Sequence, residues 1–156
     1  MEKPSLLAYT NVSDYKKHYE DNYQRAEIFT FDNIRVYFSE SKFGHAFYEN
    51  SNGKKGDKNR FSLERASRMD WIKATLTNSD AKIYKGWNKV SRSYEDTRRA
   101  SVVYDDFVVV IEFSLKKTGE LKGKFVTCYV ADKSITKIRS SPEWNYDECI
   151  AELEKI

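Results

Sequence analysis

The stretch "RASVVYDDFVVVIEFSLKKTGELKGKFVTCYVAD", residues 99–132, decides the fold. Its β-branched and aromatic runs are broken by a short Asp-rich turn and by "KKTGELKG", so it reads as strand, turn, strand, hairpin, strand. The loop glycine sits where the chain must reverse. In the last strand, successive side chains point to opposite faces. Phe125, Thr127 and Tyr129 fall on one side, and Val126, Cys128 and Val130 on the other. The apolar trio is expected to pack in a core. Thr127 and Tyr129 then carry two hydroxyls about 7 Å apart on a face that an antiparallel sheet can leave open to solvent.

The chain upstream supplies the helices for the other face. Ser13 is positioned to cap a helix running to about Arg25, with Tyr15, Tyr19 and Tyr23 as its apolar stripe. "IFTFDNIRVYFSES" (28–41) reads as one or two strands, and "ENSNGKKGDKN" (49–59) as a loop. Ser62 starts a helix to about Thr77 whose stripe is Phe61, Met69, Ile72 and Leu76. "AKIYKGW" (81–87) suggests a short strand and turn, the polar 89–98 a loop, and "SPEWNYDECIAELEKI" a turn at Pro142 followed by a helix from about Tyr146. Helices first and hairpin-linked strands later argue an α+β fold: one domain over 1–156, with N-terminal helices and an antiparallel sheet of about four strands covered on one face.

Composition narrows the function. Hydrophobic residues make up 40% of the 156, too many for a disordered chain. The net charge of +3 is unevenly spread: residues 54–99 hold 13 Lys/Arg against 6 Asp/Glu, whereas each flank is net acidic. A basic middle third suits a polyanion, and equally a solvated cationic surface. Cys128 and Cys149 form no CxxC pair, and His18 and His45 lack ligand spacing to them. A reducing compartment with neither disulfide nor structural metal is therefore expected. No secretory leader or membrane-length apolar run is legible, which points to the cytoplasm. No glycine-rich phosphate loop or nucleophile elbow occurs, and no cofactor is implied.

A few residues invite chemistry. His45, in "SKFGHAFYE", belongs to the one residue type that ordinarily exchanges protons near neutral pH. Glu49, four residues on, could orient it if the segment is helical. Arg65 falls between Phe61 and Met69 on the stripe meant for the core, where a charge needs a partner or an open site. Its guanidinium either snorkels to a carboxylate or reaches a phosphate. Of Arg98 and Arg99, Arg99 faces the open side if Ala100 and Val102 pack inward. Arg68 and Lys73 project from other sides of their helix.

In order along the chain, "FGHAFYE", "RFSLERASRMDWIKATL", "IYKGW", "RRASVVYDDFVVVIEF", "GKFVTCYVAD" and "KIRSSPEW" resemble the barnase–EndoU–colicin–RelE (BECR-fold) group of metal-independent ribonucleases, in the small versions carried by phages, conjugative elements and polymorphic toxins. The resemblance spans about residues 43–144, and the F-x-T-x-Y strand with an upstream His carries most of it. It implies cleavage of RNA by attack of a ribose 2′-hydroxyl on the adjacent phosphate. His45 would move the proton, Arg65 and Arg99 stabilise phosphate charge, Thr127 bond a phosphate oxygen and Tyr129 position the phosphate or stack on a base. Arg68, Lys73 and Lys85 would contact RNA, tRNA among the candidates. A cognate immunity protein or antitoxin is the partner such a toxin requires, and no membrane is involved. The EndoU branch uses two histidines, but His18 lies in another segment. The barnase branch uses a glutamate, for which Glu112 is the nearest analogue, although alternation groups it with Val108 and Val110. A catalytically inactive RNA- or protein-binding module of the same fold is the alternative.

Overall fold

The computed structural model describes residues 3–49 and 59–155. In chain order the elements are α1 (Val12–Tyr19, continued by a π-helical turn Glu20–Gln24), β1 (Ile28–Phe29), β2 (Arg35–Tyr37), α2 (Ser41–Ala46), β3 (Tyr48–Glu49), β4 (Arg60–Phe61), α3 (Leu63–Ala66), α4 (Met69–Thr77), β5 (Lys82–Tyr84), β6 (Gly86–Asn88), β7 (Ser93–Glu95), β8 (Ala100–Tyr104), β9 (Phe107–Leu115), β10 (Leu121–Val130), α5 (Ile135–Arg139) and α6 (Tyr146–Glu154). The class is α+β. Most of the segment expected to form the 49–59 loop lies outside the described residues.

The central sheet has six strands in the order β1-β2-β10-β9-β8-β5 rather than about four. It is mixed, because β2 runs parallel to β10 while the other neighbours are antiparallel. The 99–132 stretch forms its centre, β8-β9-β10, as expected. Gly119 closes the β9–β10 turn at φ 92, a left-handed conformation that favours glycine.

Strand β10 departs from simple alternation. Phe125 lies opposite Ile111 and Thr127 opposite Val110, so Val126 is an extra, bulged residue. The bulge corrects the expected faces. Phe125 joins Cys128 in the core against the helices, while Val126 leaves it for the opposite face, where it packs with Val108 and Val110. That opposite face is not bare. Val126, Val108, Val110, Val103, Tyr84 and Ala131 form a second cluster, capped by Ile135 and Ile138 of α5.

The helices build the larger core from aromatic rings. Tyr15, Tyr19 and Tyr23 are buried at 2%, 0% and 2% exposure. A repeat of four outruns the 3.6-residue α-turn, and the wider i→i+5 turn, closed by Arg25 N–H to the Glu20 carbonyl at 3.0 Å, keeps Tyr23 facing inward. The cap of α1 is Asn11, which accepts from the Asp14 N–H, rather than Ser13. Ser62 caps as expected, but the helix it starts ends at Ala66 and resumes at Met69. Phe61 precedes it in β4, while Met69, Ile72 and Leu76 are fully buried. The 89–98 stretch contains β7, hairpinned onto β6, rather than only a loop. Glu49 lies in β3 rather than in the helix of His45, so the helical spacing that would let it orient the imidazole is not formed, and it accepts from Arg60 at 2.6 Å. Among the described residues, no helix is long and apolar enough to cross a membrane. Cys128 and Cys149 are buried and form no disulfide.

Burial has a consequence for alkaline stability. It pushes the phenols of Tyr19 and Tyr23 well above their ordinary range and the Cys149 thiol up to about 12. An unfolded chain releases those protons from about pH 8.5 (Cys) to about pH 10 (Tyr). Where the unfolded state holds fewer protons than the folded one, stability falls with rising pH. Thermal melts are therefore expected to be flat from pH 7 to 8 and to drop progressively above about pH 9. A Tm unchanged up to pH 11 would contradict this assignment.

Candidate active site

His45 sits near the C-terminal end of α2 and is half-buried. It lines a groove of about 690 Å³ together with Trp87, Lys89, Arg98, Arg99 and Glu112. Trp87, Lys89 and Arg99 also wall a neighbouring cavity of about 490 Å³, whose lining includes Tyr94, Tyr129, Ser101 and Lys137. The two spaces thus share Trp87, Lys89 and Arg99 as common wall residues. The groove carries an imidazole, a carboxylate and two arginines, and the adjoining cavity carries the Tyr129 phenol, with Arg99 common to both.

Each side chain is there for a local reason. Ala100 and Val102 do pack into the main core, and Arg99, just before β8, is turned toward the cleft. Its backbone adopts φ 53, a left-handed conformation unusual for an arginine. Gly86 explains the packing around it: a Cβ there would stand 2.1 Å from the Arg98 carbonyl oxygen and 2.7 Å from that of Arg99. Glu112 alternates with the core residues Ile111 and Phe113, so it shares the opposite side with Val110. The sequence offers Glu112 only as the nearest analogue of the barnase-branch glutamate, and the strand alternation that groups it with Val108 and Val110 is the signal for its face.

Arg65 lines neither the groove nor the cavity, but it is tied to the helix that carries His45. Its Nη1 donates to the Ala46 carbonyl at 3.3 Å, next in sequence to His45. Both Arg65 and Arg99 lie within electrostatic reach of Tyr129. Burial pushes the Tyr129 phenol up, and the positive charges of Arg99 and then Arg65 pull part of the way back. The net direction is upward, so the phenol remains a hydrogen-bond donor at neutral pH.

Other candidates fall elsewhere. Thr127 is 7% exposed, and its Oγ1 is sealed from solvent with no hydrogen-bond partner. The bulge and α5 bury the hydroxyl that was expected on an open face. Lys85 lines the cavity, but its Nζ lies 3.3 Å from Asp96 and 2.9 Å from Glu148, which neutralise it. Asp96 is itself buried and also accepts from the Asn145 N–H at 3.1 Å, tying α6 to the end of the hairpin. Arg68 donates to the Glu64 carbonyl at 2.7 Å and stacks over Trp71, and Lys73 lines a separate pocket with Asp70 and Tyr23. Neither lines the cleft. His18 is held between Asp70 at 2.7 Å and the Tyr9 hydroxyl at 3.0 Å, apart from the cleft. Among the described residues, no group of three or more His, Cys, Asp or Glu could hold a metal ion.

Comparison with protein-family models, with curated proteins and with solved structures returns no match to this chain. The functional reading rests on the cleft.

The left-handed backbone at Arg99 yields a separable prediction. A non-glycine residue there bears about 1–2 kcal/mol of strain, part of which glycine would return as chain entropy on folding. Arg99→Gly is therefore expected to melt at or slightly above the parent temperature, while Arg99→Ala keeps the strain. Both variants should lose function through loss of the guanidinium. Thermal melts of the two proteins side by side check this, and Arg99→Gly melting well below Arg99→Ala contradicts it.

Proposed function

We propose that this chain is a metal-independent endoribonuclease of the barnase–EndoU–colicin–RelE type, acting as a toxin or as a phage or mobile-element effector. The observation that carries the reading is that one groove is lined by His45, Glu112 and Arg99, and that Arg99 also walls the adjoining cavity with Tyr129, whose phenol feels the charges of Arg99 and Arg65. Cleavage within the RNA strand needs a base to take the 2′-hydroxyl proton and an acid to protonate the departing 5′-oxygen. It also needs positive charge around the crowded phosphorus. Glu112 is suited to the first task and His45 to the second. The ribose oxygen bonds to phosphorus as the bond to the 5′-oxygen breaks, leaving a 2′,3′-cyclic phosphate and a 5′-hydroxyl end. The planar Arg99 and Arg65 guanidiniums stabilise the non-bridging oxygens, and the protonated Tyr129 phenol donates to one of them. Thr127, sealed from the cleft, is left out of the phosphate contacts, as are Arg68 and Lys73.

The reading predicts RNA cleavage in the presence of EDTA by the purified protein, and growth arrest on expression in bacteria that His45→Ala relieves. A cognate inhibitor would cover this cleft. Salt-sensitive RNA binding without cleavage products would support instead an inactive binding module of the same architecture.

A further inference from the structure

The cavity beside the groove has features that phosphate chemistry alone does not call for. Trp87 and Tyr94 stand on the β6–β7 hairpin, 49% and 43% exposed, with ring centroids 5.0 Å apart at 66°. Large aromatic rings left half in water at the lip of a cavity have given up burial that the core would have offered them. The hairpin holding them is a two-stranded sheet of its own. It is fixed by the close approach of Gly86 to the Arg98 and Arg99 carbonyls and by the Asn88–Glu95 side-chain bond of 2.7 Å. The platform is therefore fixed relative to Arg99. Trp87 and Arg99 both line the groove and the cavity, which puts the indole beside the guanidinium that a phosphate would meet. Beyond it the cavity presents Lys137, Ser101 and the Tyr129 phenol, groups able to bond a base edge. Its volume of about 490 Å³ is that of a small-molecule site.

We infer that the β6–β7 hairpin and its cavity form a stacking subsite for one unpaired nucleobase next to the cut phosphate, which makes single-stranded RNA the substrate class. The subsite rests on the ribonuclease reading and deepens it. Every base has a π-face, so the stacking contribution tolerates sequence, whereas a base locked in a duplex cannot enter.

Binding in the His45→Ala background tests this without turnover. The probes are a fluorescent six-nucleotide RNA, the same oligomer with all bases removed, and a blunt RNA duplex. The His45→Ala protein is expected to bind the base-bearing strand at least about tenfold more tightly than the abasic one. Adding Trp87→Ala should erase that difference and leave abasic binding unchanged, while Trp87→Phe should restore most of it. Equal affinity of the His45→Ala protein for base-bearing and abasic strands overturns the subsite, whatever the variants do. So does equal weakening of both strands by Trp87→Ala, or tighter binding of the duplex than of the single strand. If these occur while RNA is still bound and the unmutated protein still cleaves it, the subsite alone falls. No binding to any of the three probes overturns the ribonuclease reading and the subsite together.

Discussion

Replacing His45 with alanine is expected to slow RNA cleavage by about 10²- to 10⁴-fold, the usual contribution of one positioned acid or base. Glu112→Gln should cost a similar factor. The two losses should not multiply in the double variant, because both residues serve the same proton traffic and groups acting as a unit are strongly non-additive. RNA affinity should change little in either variant, since the cationic groups remain. Neither substitution is expected to shift Tm much, as His45 and Glu112 are both only half-buried. Initial rates on a labelled oligoribonucleotide, measured beside binding and melting, separate these effects. Full cleavage by His45→Ala would remove the imidazole from the mechanism. Full cleavage by Glu112→Gln with loss in His45→Ala would leave one acting residue and require the histidine to do both transfers.

Gly86→Ala is the second large expected effect, and it acts through backbone alone. Its added methyl group would lie 2.1 Å from one main-chain oxygen and 2.7 Å from another, neither of which can rotate away as a side chain could. The hairpin and the Arg98–Arg99 segment must separate to make room. A loss of about 3 kcal/mol is at the upper end of ordinary single substitutions, which for a chain of this length lowers Tm by about 10 °C. Because Trp87 and Arg99 line both halves of the cleft, activity at temperatures well below the melt should also fall sharply. By contrast, Gly44→Ala meets nothing within 4 Å and is expected to leave both stability and activity close to the parent's, although it adjoins His45. Parallel melts and assays of the two alanine variants provide the comparison. Unchanged melting of Gly86→Ala would mean that the hairpin does not pack against Arg98 and Arg99 as described.

Much of this arrangement was readable from local pattern. The β8–β9–β10 run, the buried tyrosines of the first helix, the Ser62 cap and the start of α6 all follow from periodicity and capping chemistry within a few residues. So does the outward turn of Arg99, once Ala100 and Val102 are read as core. The misses depend on partners distant in sequence. The bulge at Val126 exists only in register with β9, and one extra residue exchanges the faces of everything beyond it. Parallel pairing of β2 with β10 joins segments some 85 residues apart. The β6–β7 hairpin turns through Arg92 at φ 55 without a glycine to announce it, and α5 offers only Ile135 and Ile138 as an apolar signal. The bulge and α5 turned an expected open face into a second core and hid Thr127, while the hairpin supplied the aromatic wall in a stretch whose composition looks like a polar loop. Of the site candidates named from the sequence, His45 and Arg99 line the groove and Arg99 and Tyr129 the cavity, while Arg65 lines neither. Glu112 became interpretable only when the groove showed which side of β9 carries the cleft.

The most direct test of the central claim, that this cleft cuts RNA through the ribose 2′-hydroxyl, uses one oligoribonucleotide made twice. The cleavage site is first mapped with the all-ribo strand in EDTA, and the second strand then carries a single 2′-deoxy nucleotide on the 5′ side of that bond. The account predicts a 2′,3′-cyclic phosphate end from the first strand and no cut at that bond in the second. Cleavage of the deoxy-substituted bond at an undiminished rate, or products lacking the cyclic end from the outset, would contradict it.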